Sequence, residues 1–310
     1  MNPRKIVVIG SSNTDMVIKS ERLPAPGETV LGGTFLMNPG GKGANQAVAA
    51  ARLGGDVTFV CKTGTDLFAQ RAEEGYRREG IDTAFVLRNA DVPSGVALIT
   101  VDAEGENCIV VAPGANDTLS PADIEQARAV IESADLVVMQ LEIPLDTVLA
   151  AARIARAAGA RVLLNPAPAP ARPLSDELLS LVDLLIPNRT EAELLSGVRI
   201  AEWEDAESAA VRLHERGVGS VLITLGSRGA LCFDGIRHER IASCPVKSVD
   251  STGAGDTFCG ALCVALSEGR DLVAAARFAS LVASISVTRV GAQQAIPYRT
   301  EVDRALAAQS

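Results

Sequence analysis

The 310-residue chain carries 29 Lys and Arg against 38 Asp and Glu, a net charge of -9, and 47% of it is apolar. The acidic balance excludes a nucleic-acid or anionic-membrane partner bound through a basic face, because displacing condensed counterions requires clustered Lys and Arg. The apolar fraction is that of a folded chain with a large core. With two histidines, His214 and His238, a multi-His metal centre is excluded.

In chain order, the first apolar run, residues 5–9, is too short for the hydrophobic part of a signal peptide and reads as a strand. Further aliphatic runs at 57–61, 136–140, 161–165, 184–187 and 221–225 are strand candidates. Helix-forming segments lie between them at 43–53, 67–79, 121–132, 145–158, 191–196 and 206–216. Continuous apolar strands separated by helices indicate a parallel sheet covered on both faces. Residues 253–268 and 272–287 read as two successive helices. Glu268 and Arg277 interrupt the longest apolar stretches there, so no membrane span is expected and the expected location is the cytoplasm. The six cysteines, at 61, 108, 232, 244, 259 and 263, form no Cys-x-x-Cys pair and read as buried small hydrophobes.

Two segments break this alternation. Residues 11–39 are rich in Gly, Pro and Thr, with alternating runs at 16–19 and 28–36. Residues 93–112 hold two β-like runs, 95–101 and 107–111, around the acidic turn Asp102-Ala-Glu-Gly-Glu106, which is hairpin chemistry. The two segments are expected to join as a small antiparallel sheet, a cover on one α/β body spanning residues 1–310. The proline-rich stretch 165–173 reads as a stiff loop after a strand.

Neither usual phosphate-binding signature is present. Gly43 follows Lys42 where a P-loop needs Ser or Thr, and Ser11-Ser-Asn13 stands where a Gly-x-Gly-x-x-Gly would open the first strand–helix unit. Two other glycine clusters remain. In Pro39-Gly-Gly-Lys-Gly-Ala-Asn45 the glycines admit close backbone approach, and Lys42 and Asn45 add groups able to hold hydroxyls. The same residues also suit a tight turn packing a helix on a sheet. The second cluster is Asp250-Ser-Thr-Gly253-Ala-Gly255-Asp256. Small residues there leave amides bare at a helix start, with a carboxylate in the first turn. Such an Asp is ordinary dipole chemistry, yet a base beside an anion hole is what phosphoryl transfer to an alcohol requires.

Six further segments accompany these two in order along the chain: Gly10-Ser-Ser-Asn13-Thr-Asp15, Gly105-Glu-Asn107, Met139-Gln-Leu-Glu142, Asn165-Pro-Ala-Pro168, Pro187-Asn188 and Thr224-Leu-Gly-Ser-Arg-Gly229. On these motifs the chain resembles the PfkB family of sugar kinases, and within it the ribokinase branch. The resemblance implies a mostly parallel central sheet flanked by helices, three-layered and Rossmann-like, with a small antiparallel β lid formed by about 11–39 and 93–112. It implies ATP-dependent phosphorylation of D-ribose at the 5-hydroxyl. The alternatives are a kinase for another pentose, deoxyribose or a nucleoside, or a non-catalytic sugar-binding protein of the same fold.

Residue by residue, the resemblance assigns the sugar to Asn13, Asp15, Gly41, Lys42, Gly43, Ala44, Asn45 and Glu142, and makes Asp256 the catalytic base. The amides of Gly253, Ala254, Gly255 and Asp256 would form the anion hole. Asn188, Thr224, Leu225, Gly226, Ser227, Arg228, Gly229 and Ser280 would serve ATP, together with Gly255 and Asp256. Glu191 would hold Mg²⁺ through water, and Asp250, Thr252, Ser286, Arg289 and Gly291 a monovalent cation, K⁺. The chain departs from the family pattern at Ser280, where His or Asn is usual, and at Ala295, where a serine contributes a cation ligand. The resemblance also implies a homodimer through the lid, with no nucleic-acid or membrane partner.

Overall fold

In the computed structural model, residues 4–170 and 172–308 are described. The chain opens with β1 (Lys5–Ile9), β2 (Asn13–Lys19), β3 (Thr34–Gly40), α1 (Lys42–Arg52), β4 (Asp56–Thr63), α2 (Leu67–Arg78), β5 (Val86–Arg88), β6 (Gly95–Val101) and β7 (Asn107–Ala112). It continues through α3 (Pro121–Gln126), α4 (Arg128–Glu132), β8 (Leu136–Met139), α5 (Leu145–Ala158), β9 (Arg161–Leu164), α6 (Asp176–Leu181), β10 (Leu184–Leu185), α7 (Arg189–Ser196), α8 (Trp203–Glu215) and β11 (Ser220–Thr224). The last elements are β12 (Ala230–Phe233), β13 (His238–Ile241), α9 (Ala254–Ser267), α10 (Leu272–Ser286) and α11 (Arg299–Ala307).

Nine strands form one sheet in the order β13-β12-β11-β10-β9-β8-β1-β4-β5. Its pairings are parallel except β11–β12 and β12–β13. Strand β1 shows why both faces are covered. Its alternating side chains send Ile6 and Val8 into a core shared with α1, α9 and α10, and Val7 and Ile9 into a second core beneath α3 to α8. The chain leaves β1 toward β4 on one side and reaches β8 on the other, so the order reverses at β1. Open α/β sheets bind ligands at the carboxyl ends beside such a reversal, and the segments after β1, β8, β10 and β11 all carry residues assigned above.

The smaller sheet, β3-β2-β6-β7, comes from the two expected segments. It consists of two antiparallel pairs, β2–β3 and β6–β7, joined by a parallel β2–β6 pairing. Residues 28–33 of the expected 28–36 run are not strand; β3 begins at Thr34. All six β7 residues are exposed, which leaves Cys108 on the surface rather than in a core. The expected helix over 121–132 divides at Ala127, whose N–H is shared between the carbonyls of Asp123 and Ile124. Among the described residues no helix is long and apolar enough to cross a membrane.

Candidate active site

The start of α9 is the least self-satisfied backbone in the region. Gly253 caps it with φ +71° and no side-chain cap. Ala254 N–H donates to Ser251 O, and Thr257 N–H to Gly253 O. The N–H groups of Gly255 and Asp256, between them, have no protein partner, as expected for the orphan donors of a helix start. They border a cavity of about 220 Å³ lined by Lys42, Asn165, Asn188, Glu191, Thr224, Ser251, Gly253, Ala254, Gly255 and Asp256.

Asp256 is buried, and its carboxylate is clamped by α1. Oδ2 accepts from Asn45 Nδ2 at 3.0 Å and Oδ1 from Gln46 Nε2 at 3.1 Å. The clamp is possible because α1 and α9 pack so closely that a Cβ on Gly260 would lie 2.5 Å from Ala49 Cβ. Gln46 is itself oriented: Nε2 also donates to Asn165 Oδ1, and Oε1 accepts from Gln140 Nε2 at 2.7 Å. Asn45 Oδ1 accepts from Gln293 Nε2. Burial raises the Asp256 pKa, and the Lys42 ammonium and the two amide donors oppose that rise. Burial pulls Lys42 down, but the charges of Asp256, Glu142 and Glu191 outweigh it and hold the ammonium above its ordinary value.

The Gly41–Asn45 cluster is not a second anion hole. Lys42 N–H donates to Glu142 Oε2 at 3.0 Å, Gly43 N–H to Ser11 Oγ and Ala44 N–H to Ser11 O. Ser11 Oγ in turn donates to Glu142 Oε2 at 2.5 Å. The turn thus packs α1 onto the end of β1 and fixes Glu142 against it. Asp15 lies on β2 near these groups. Its pKa is raised from 3.8 to about 6 by burial first, then by the charges of Glu142 and Asp256, with Lys42 opposing.

Asn188 and Glu191 form a capping box at the start of α7: Asn188 Oδ1 accepts from Glu191 N–H, and the Glu191 carboxylate accepts from Asn188 N–H and Nδ2. Both residues nevertheless line the cavity beside Asp256, so capping and site position coincide. Thr224 reaches the same cavity from the end of β11. The loop that follows is braced by Arg228 Nη1 donating to Ala201 O and Ser243 Oγ donating to Ser227 O. Leu225, Gly226 and Gly229 continue that loop, whereas Ser280 lies on α10 and does not line the cavity.

The 249–252 segment is laced to residues 286–291: Val249 and Asp250 N–H donate to Val287 O, and Gly291 N–H donates to Asp250 Oδ2. Asp250 Oδ1 accepts from Thr252 N–H, Arg289 is ion-paired with Glu301, and Ser286 Oγ donates to Ala283 O. Among the described residues no group of three or more His, Cys, Asp or Glu could hold a metal by itself.

Sequence reasoning did not assign Ser11, Gln46, Gln140, Asn165 or Gln293 to the site. Four of these five lie in or beside the quoted motifs, so a signal was present, but an amide's partner is visible only in three dimensions. Both histidines lie elsewhere, packed on Phe233.

Residues 3–299 match the family described as pfkB family carbohydrate kinase. The chain is similar to a ribokinase of Haemophilus influenzae, at 44% identity over 96% of this chain and 97% of the other. It is 38% identical to a deoxyribokinase of Salmonella typhi, over 94% and 95% of the two chains. Among solved structures, that of an Arabidopsis thaliana ribokinase complexed with ribose and ATP superposes with a TM-score of 0.92, at 34% identity and 99% coverage of both chains.

Proposed function

The chain belongs to the pfkB family of carbohydrate kinases, and we propose that it transfers the γ-phosphoryl group of ATP to the 5-hydroxyl of D-ribose, giving D-ribose 5-phosphate and ADP. The observation that carries this reading is the Asp256 carboxylate beside the unpartnered N–H groups of Gly255 and Asp256, in one cavity with Lys42, Asn188 and Glu191. Asp256 accepts the proton of the attacking hydroxyl as the O–P bond forms and the bond to the ADP oxygen breaks. The N–H groups of the α9 start, with Gly253 and Ala254 shaping the turn, stabilise charge on the transferring group.

Asn13, Asp15 and Glu142 hold the sugar. Asn45 acts through Asp256, whose Oδ2 it binds. Thr224, Leu225, Gly226, Ser227, Arg228 and Gly229, with Ser280 at the far edge, form the nucleotide side. The carboxylate oxygens of Glu191 suit Mg²⁺ held through water, since that hard cation keeps most of its waters, with Asn188 beside them on the nucleotide side; the ion would supply charge neutralisation on the ATP phosphates. The laced Asp250, Thr252, Ser286, Arg289 and Gly291 segment suits K⁺ held by carbonyl oxygens, with Ala295 contributing no hydroxyl.

The smaller sheet is read as a lid that excludes water from the transfer, on one α/β body, and as the contact between two copies of the chain. ATP as donor fits a cytoplasmic protein. The test is Asp256→Asn. A positioned base is worth about 10² to 10⁴ in rate, so ribose-dependent ADP release should fall by that factor, and a near-wild-type kcat would refute the role. The deoxyribose alternative is answered by the same assay with 2-deoxyribose, since a pocket that bonds the 2-hydroxyl rejects the analogue lacking it.

A further inference from the structure

A backbone N–H can only donate. Ser12 N–H donates to Asn116 Oδ1 at 2.8 Å, and this fixes which end of the buried Asn116 amide is which. Asn116 Nδ2 then donates to Asn13 Oδ1 at 2.7 Å and to Ser12 O at 3.2 Å. Asn13 is thereby oriented as well. Its oxygen is consumed, while Nδ2 has no protein partner and is not among the sealed, unpartnered polar atoms. Residues two apart on a strand share a face, so Nδ2 of Asn13 and the carboxylate of Asp15 look the same way from β2.

A second observation supports the same contact. Gly95 opens β6 and is the register partner of Asn13. A Cβ there would overlap both Asn13 Oδ1 and Asn116 Nδ2. Its φ is not positive, so glycine is required by space: the volume of the missing side chain is filled by this hydrogen bond.

We infer that Asn116 is a positioning residue that makes Asn13 a hydrogen-bond donor toward the sugar. It rests on the reading of Asn13 as a sugar residue. The pocket then offers an acceptor at Asp15 and a donor at Asn13. It selects a sugar whose hydroxyl near Asp15 donates and whose oxygen near Asn13 accepts. Asn116 lies in the turn Gly114–Thr118 that follows β7, so the return of the small sheet sets the polarity of the sugar site.

The experiment is steady-state kinetics with ribose and ATP varied separately. Asn116→Asp keeps an acceptor for Ser12 N–H but cannot donate, so the Asn13 amide turns over. Ribose KM should rise about ten- to a hundredfold, the range for a lost buried hydrogen bond, with ATP KM within about twofold. Asn13→Asp, which keeps the acceptor for Asn116 and removes the donor, should do the same. In an Asn13→Ala background Asn116→Asp should add nothing, since the two residues act as one unit.

Full additivity of the pair would overturn the inference, as would an unchanged ribose KM in Asn116→Asp when Asn13→Ala raises it. An unchanged ribose KM in Asn13→Ala would instead remove the reading of Asn13 as a sugar residue. Should Asn116→Asp show no cooperative thermal melt, Gly95→Ala and Asn13→Asp decide the matter: a ribose KM unchanged in either one overturns the inference.

Discussion

Asp15 is a partly buried carboxylate near the charges of Glu142 and Asp256, a placement that works against the fold. Its folded pKa of about 6 exceeds the ordinary 3.8, so the native state binds this proton more tightly than the unfolded chain. Stability then falls as pH rises from about 4 to about 6, and stays lower above that range. A shift of about 2 units corresponds to about 3 kcal/mol. Asp15→Asn removes the buried charge and should raise the melting temperature of the free enzyme at pH 7. The gain should vanish below about pH 4, where wild type is protonated too, while ribose binding is lost. Thermal melts across that pH series check it, and equal melting temperatures at pH 7 would count against the burial of Asp15. Asp256 was legible in the sequence because a carboxylate stands out beside a glycine turn, whereas Asp15 entered only through the family motif Gly10-Ser-Ser-Asn13-Thr-Asp15. Gln46, Gln140, Asn116 and Gln293 were not legible, since their partners lie 94 to 248 residues away and an uncharged amide advertises nothing locally.

At the scale of elements, legibility followed the length of the aliphatic or alternating run: the four-residue β12 is buried throughout yet went unread, while the exposed β7 was read from its hairpin pattern. Strands β1, β4, β8, β9 and β11 are buried along most of their length and read directly as aliphatic runs. β13 has one buried residue in four, and α11 has only Val302 fully buried, so neither left a periodic signal. The two helix starts differ: α9 leaves the Gly255 and Asp256 N–H groups without a protein partner, whereas the α1 N–H groups are taken by Glu142 and Ser11. The difference yields a test. Gly253 adopts φ +71°, and a Cβ there would lie 3.1 Å from Ala292 Cβ. A left-handed conformation costs a non-glycine residue about 1–2 kcal/mol, so Gly253→Ala should pull the turn out of shape and displace the Gly255 and Asp256 N–H groups. The expected result is a kcat about tenfold or more below wild type, with ribose KM within about twofold. Unchanged kcat would mean these amides do not face the transferring group.

For the whole molecule, the net charge of -9 bears on the proposed reaction: ATP would be handled locally, by helix-start amides with Mg²⁺ and K⁺, without a basic surface. The molecule's other conspicuous surface is apolar. Alternation in the smaller sheet puts Asn13 and Asp15 on one face, and the register sets Met37, Met16, Leu98 and Val110 in a row across all four strands on the other. Ile18 and Phe35 pair in the next row of that second face. Of these, Ile18, Phe35, Met37, Leu98 and Val110 are exposed, Val110 by 69%. Contiguous exposed apolar patches mark interaction surfaces, and the proposed pairing of lids would bury this one as an isologous contact about a two-fold axis. Val110→Asp would place a carboxylate in the middle of such an interface, where an unpaired charge costs several kcal/mol. Sedimentation at micromolar concentration should therefore show a dimer for wild type and a monomer for the variant. Because residue 110 faces away from Asn13 and Asp15, any rise in ribose KM in the monomer would come through a loosened lid, and dilution of wild type below its dissociation constant should reproduce it. A wild-type monomer at micromolar concentration would refute the pairing of lids.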